Sequence, residues 1–341
     1  MNGRIFALVL LALAGLLQPA WAQFTVLDQA QDTRAPTAPA APRPICGTQP
    51  LGIARMSWPS AELLAEIHAR LLTSQFDCQT RVVPGDLAAT GSSMATTGQP
   101  AIAPEMWVTR IADVWNPALK AQMLRPAAPT YTESVFEGWF VPDYLVGAHP
   151  ELRSAAQLKA LAPTLSPGAK LRFVSCPVDW GCSIINRNLV RALGLTDVLE
   201  IVEPANRFEM DRLIAEAVSR QEPLLFYYWQ PNAVLAQFNF VGLDLGPYDE
   251  KAFQCLARAA CETPLPSAFA PETVVIALAE WVYTDIPTIA SYFQRSALPL
   301  KQMNILLAQL NEPGATVESV ADRFVAERAD LWTAWVGGAA R

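Results

Sequence analysis

Ten tryptophans occur among the 341 residues, and four of them sit at or just past the ends of apolar, strand-like stretches. Trp58 follows GIARMS and precedes Pro59. Trp107 ends AIAPEMW. Trp180 sits in the cysteine-bracketed loop CPVDWGC, and Trp229 ends PLLFYYW, just before Gln230 and Pro231. A core tryptophan usually stands mid-strand or on the inner stripe of a helix. One at a strand end in an α/β sheet points into the crevice where such sheets bind ligands. Several converging indoles can recognise a bulky cation that has no N–H to donate. Electron-rich ring faces satisfy its charge and its methyl groups together, each contributing about 0.5–2 kcal/mol when desolvated. Three or four faces approach the ~8 kcal/mol of a micromolar complex. On this reading no neighbouring carboxylate is required.

The loop around Trp180 offers a second kind of chemistry. Gly181, Cys182 and Ser183 open a helical stretch, SIINRNLVRALGL (183–195). Backbone N–H groups at a helix start lack intrahelical partners and favour an anion. A cation cage beside an anion nest is complementary to a zwitterion. Other chemistry finds little support. The two histidines, His68 and His149, are isolated, and no CxxC, GxSxG or HExxH occurs. That argues against a metal, a cofactor and catalysis. Trp281, Trp332 and Trp335 lie in helical stretches and read as packing residues, and Trp139 lies inside a strand.

The elements that must position these residues alternate. Strand-like 52–58 is followed by an amphipathic helix, 60–75, with Leu63, Leu64, Ile67, Leu71 and Leu72 on one stripe, then by strand 78–85. This βαβ unit predicts two parallel strands. Further strands are expected at 101–108, 134–142, 171–176, 223–229 and 239–245. Helices are expected at 154–161, 183–195 and 206–220. The chain from about 271 reads as helical, ending in 316–336. The fold class is therefore α/β with parallel-rich sheets.

The remaining composition sets the compartment. Arg4, the apolar run Ile5 to Leu17 and Ala20-Trp21-Ala22 form a signal peptide (1–22), cut after Ala22, which directs the chain to the periplasm. Residues 23–45 are a Pro/Ala-rich leader. Six cysteines in an exported chain argue for disulfides. Cys176–Cys182 and Cys255–Cys261 each close a short loop, leaving Cys46 for Cys78, and both of these precede strands that start at one sheet edge. A net charge of −7 with no basic run excludes nucleic acid as a natural partner.

At CPVDWGCSIINRNLVRALGL (176–195), FYYWQP (226–231) and PEMW (104–107) the chain resembles the glycine betaine/proline-betaine/choline substrate-binding proteins of bacterial ABC importers. The resemblance implies a two-lobed type II periplasmic binding protein with a hinge. Lobe 1 is expected from 46–138 plus 246–341 and lobe 2 from 139–245. It implies a monomer that hands a small quaternary-ammonium ligand to an inner-membrane ABC permease. Trp107, Trp180 and Trp229 match the family's cage, Trp58 is similar to a fourth wall, and the backbone of Gly181 and Cys182 matches its carboxylate-binding amides. Two positions depart from the pattern. Ile111 stands where close relatives carry a carboxylate-binding histidine, with Arg110 beside it as a solvated or ion-paired residue or a substitute. Asp179 stands where relatives often have glycine, as a ligand contact favouring choline or an amine oxide, or as a surface turn. Other readings of the chain are a binder of an unrelated zwitterion, a periplasmic enzyme or an adaptor.

Overall fold

A computed structural model describes residues 45–337. The expected signal peptide with its cut after Ala22, and all of the leader but Ile45, lie outside the described residues. Ten strands build two sheets. They are β1 (Leu51–Met56), β2 (Thr80–Gly85), β3 (Ile102–Trp107), β4 (Leu124–Pro129), β5 (Glu137–Pro142), β6 (Leu171–Val174), β7 (Leu199–Val202), β8 (Leu225–Trp229), β9 (Phe240–Gly242) and β10 (Val274–Ala279). The first sheet runs β2-β1-β3-β10-β4 and the second β7-β6-β8-β5-β9.

The two sheets follow one plan. In each, a first strand pairs in parallel on both sides, β1 with β2 and β3, and β6 with β7 and β8. An antiparallel strand then joins the third strand to an outer one, β10 between β3 and β4, and β5 between β8 and β9. The chain passes from the first sheet to the second between β4 and β5, and returns just before β10.

Local packing explains why these segments take these forms. Pro59 opens the helix Pro59–Phe76, Asp77 closes it in the left-handed region at φ 60°, and the expected stripe of leucines and Ile67 is buried. In the first sheet, alternate residues feed cores on opposite faces. Ile53, Ile102 and Ile276 face one side, and Ala54, Ala103 and Ala277 the other. The second sheet has its own core around Trp139, Phe173, Phe226 and Tyr228. Trp139 is fully buried there, and its indole N–H donates to Asn186 Oδ1 at 2.8 Å.

Three expectations need correction. Residues 274–279 are not helical. VVIALA is β10, buried along its whole length between two strands. A short, uniformly apolar run has no periodicity to separate buried strand from buried helix. The last helix, expected at 316–336, breaks at Arg328 into Val317–Glu327 and Ala329–Val336. The segment after residue 245, assigned to lobe 1, packs instead with the second core through Phe253, Leu256 and Phe269. The return crossing therefore lies near 270–273.

The cysteines pair as Cys46–Cys78, Cys176–Cys182 and Cys255–Cys261. In the loop-entropy picture the first, spanning 32 residues, contributes about 4 kcal/mol and each short one about 2 kcal/mol. The short bridges thus matter most for the shape of their own loops. No helix among the described residues is long and apolar enough to cross a membrane.

Candidate ligand-binding cleft

Parallel strands end at a common edge, and the carboxyl edges of the two sheets border one cleft of about 640 Å³. Each sheet brings a tryptophan to it in two equivalent ways. After β1 the chain turns, and Trp58 is the N-cap residue of the helix Pro59–Phe76. After β6 it turns through the Cys176–Cys182 loop, and Trp180 is the N-cap residue of the helix Gly181–Ala192. The third strands, β3 and β8, each terminate in a tryptophan, Trp107 and Trp229. All four line the cleft.

Their surroundings hold them in place. Trp180 and Trp229 meet edge to face with centroids 5.6 Å apart. Trp229 in turn stacks on Tyr228 at 4.8 Å, with planes 16° apart. On the opposite wall Trp107 is 9% exposed, and its indole N–H donates to Glu105 Oε1 at 3.0 Å. Ser60, buried one residue into the first helix, donates its hydroxyl to the same oxygen at 3.0 Å. Behind Trp180, Ser183 Oγ donates to Glu203 at 2.6 Å, and Arg187 pairs with Glu203 at 2.7 Å, which secures the first turn of that helix.

Gly181 and Cys182 also line the cleft, at the helix start. A Cβ on Gly181 would meet nothing within 4 Å, so the side-chain face of this residue is open. Asp179 does not line the cleft. It is exposed, as the surface-turn alternative expects.

A profile of the family described as the substrate-binding domain of ABC-type glycine betaine transport systems matches residues 49–327. The chain belongs to that family. Its members are transport proteins, not enzymes. Among curated proteins none matches the chain in sequence. Solved structures similar to this chain in fold include the following three. A glycine betaine/carnitine/choline ABC transporter protein shares 10% identity over 83% of this chain and 99% of its own, with a TM-score of 0.58. Lactococcal OpuAC, closed and complexed with glycine betaine, shares 14% over 85% of this chain and 100% of its own, at 0.54. The glycine betaine/L-proline-binding protein ProX of Borrelia burgdorferi shares 14% over 85% of this chain and 97% of its own, at 0.53.

The cleft also holds residues that the sequence pattern did not single out, Glu137 and Asn232, beside Arg110, which it did. Glu137 lines the wall at the first crossing and accepts from Tyr227 Oη at 2.6 Å. Arg110 lies over the Trp107 ring at 4.7 Å, pairs with Glu272 at 2.8 Å and reaches Glu137 at 3.9 Å. Glu137 and Glu272 flank the two crossings between the sheets, so one guanidinium tethers both. Arg110 is thus ion-paired, one of its two expected alternatives. Nothing in strand periodicity marks such partners, because they lie far apart in sequence. Asn232 provides a further tie, its backbone N–H donating to Asn304 Oδ1 at 2.7 Å.

The Arg110 tether has a pH signature. Burial pushes the Glu272 carboxyl above its ordinary range, and Arg110 opposes this. Without Arg110 the group rises further, and a carboxyl with a raised folded-state pKa loses stability as pH climbs through that value. Arg110→Ala is expected to cost about 1 kcal/mol at pH 7 and less at pH 4, since the arginine is half exposed. Urea denaturation of the variant and the parent at the two pH values checks this. An equal deficit at both would contradict it.

Proposed function

We propose that this chain captures a small quaternary-ammonium solute, such as glycine betaine or choline, outside the cytoplasm and presents it to an inner-membrane permease. The observation that carries the reading is the meeting of four indoles, two from each sheet, around a single cleft. Its volume lies within the range of small-molecule sites. A trimethylammonium group placed among the rings gains charge–quadrupole attraction on several faces while its methyls leave water. In a zwitterion, the carboxylate is received by the first-turn amides of Gly181 and Cys182, which have no intrahelical acceptor.

Capture involves no bond making. Trp58 and Trp107 stand on one lobe, Trp180 and Trp229 on the other. A ligand touching both binds the closed arrangement better and shifts the population toward it. The permease is the natural reader of that closed shape. Titration calorimetry of the mature chain tests the proposal against choline, glycine betaine, trimethylamine N-oxide and a panel of amino acids. Dissociation constants in the micromolar range for the methylated compounds, with amino acids at least about a hundredfold weaker, are expected. Preference for an unmethylated amino acid would overturn the reading.

A further inference from the structure

Behind the first pair of indoles lies a carboxylate that the sequence reading did not require. Glu105, on β3, is 1% exposed. Its Oε1 receives the Trp107 N–H and the Ser60 hydroxyl. The Trp58 indole nitrogen and the Tyr131 hydroxyl stand beside the same carboxyl. Both are buried and make no hydrogen bond of ordinary geometry, and neither does Glu105 Oε2. One orphan acceptor and two orphan donors are thus within a small adjustment of one another.

The donor inventory bears on the charge. Indole N–H groups can only donate. A protonated Glu105 would find no acceptor in Trp58 or Trp107 and could donate only to the Ser60 or Tyr131 hydroxyl, whereas the carboxylate can receive all four groups. Burial acts the other way and pushes the carboxyl up, while Ser60, Trp58, Trp107 and Tyr131 pull it down. Among the described residues no lysine, arginine or histidine forms an ion pair with it. An unpaired buried carboxylate is costly. The open space on the far side of its two indoles is the cleft, which is where a permanent cation would sit.

We infer that Glu105 is a positioning residue that makes the cleft select for charge, orienting Trp58 and Trp107 through their N–H groups and supplying negative field from behind them. A carboxylate accepting from an indole also leaves the ring more electron-rich. The inference rests on the quaternary-ammonium reading above and adds to it the source of discrimination between a cation and an uncharged molecule of the same shape.

The test compares choline with 3,3-dimethylbutan-1-ol, in which carbon replaces the charged nitrogen. Glu105→Gln keeps an acceptor for Trp107 and Ser60 but removes the charge. It is expected to weaken choline about tenfold or more and to leave the alcohol within about threefold, measured by calorimetry and ligand-observed NMR. Glu105→Asp, which keeps the charge, is expected to restore part of the choline preference. Equal losses for both compounds, or none for choline, would overturn the inference alone. A parent chain that binds neither these two compounds nor glycine betaine nor trimethylamine N-oxide would overturn the ligand reading and this inference with it.

A pH series on the parent serves if Glu105→Gln does not fold. Choline affinity should fall on acidification from pH 8 to 5 while that of the alcohol stays level, and a flat choline profile counts against the inference. Two other groups face this carboxyl or its indoles. Tyr131 is held well above its ordinary range by burial, and Arg110 is paired with Glu272 and Glu137.

Discussion

Replacing Trp180 with alanine is expected to weaken choline or betaine binding by about tenfold to thirtyfold while leaving the fold standing. The size follows from one desolvated ring face, up to about 2 kcal/mol. The selectivity of the effect follows from where the residue sits. Trp180 caps its helix through backbone conformation alone, with no side-chain hydrogen bond to the first turn. Its ring is half-buried, and its loop is held by the Cys176–Cys182 bridge. Trp229 makes the instructive contrast. It stacks on Tyr228, which is itself fully buried, so Trp229→Ala should lose both affinity and stability. Calorimetry with thermal unfolding separates the two. A Trp180→Ala protein of unchanged affinity would remove the indole cage from the account.

The second large effect concerns acid. His68 is fully buried in the first core, its Nδ1 2.7 Å from Tyr292 Oη and its ring against Phe293 and Trp335. Burial disfavours the imidazolium and brings its pKa down to about 3. In the unfolded chain the same group titrates near 6.5. The unfolded state therefore binds more protons between these values. This contribution to stability is whole above about pH 6.5 and is lost as pH falls toward 3, by about 2 kcal/mol at pH 5 and roughly 5 kcal/mol at the end. Glu105 and Glu272, whose folded-state values are raised, act in the opposite sense. The clean readout is thus a comparison. His68→Gln should be less stable than the parent at pH 7, and the gap should narrow steadily toward pH 4. Parallel stability–pH curves for the two proteins would rule the mechanism out.

Much of this architecture was legible in the residues because the signals were local. The stripe from Leu63 to Leu72 and the valines of β2 specified a βαβ unit, and the parallel pairing of β1 with β2 follows from it. The four cleft tryptophans were legible for a related reason. A strand end is visible in sequence, and in this class of sheet a strand end is a place. What failed was information carried by distance. VVIALA is apolar at every position, so only its neighbours β3 and β4 decide that it is a strand. Phe253, Leu256 and Phe269 choose the second core by packing that no window of sequence displays. Asp179 drew notice because it stands where relatives often have glycine, read as a ligand contact or a surface turn, and it is exposed and absent from the cleft lining. Glu105 went unremarked as a charge because a single acid within a buried strand shows its partners only once Ser60 and Trp107 are folded around it.

On the proposed reading, the matched placement of the indoles, one helix cap and one third-strand end per sheet, divides the grip between the two sheets. If the whole cage supplies about 8 kcal/mol, either half alone supplies about 4 kcal/mol, the difference between micromolar and millimolar holding. Prying the halves apart by a few ångströms is then enough to let the cargo go. A machine that pulls on the two sides needs no chemical trigger and no competing occupant to empty it.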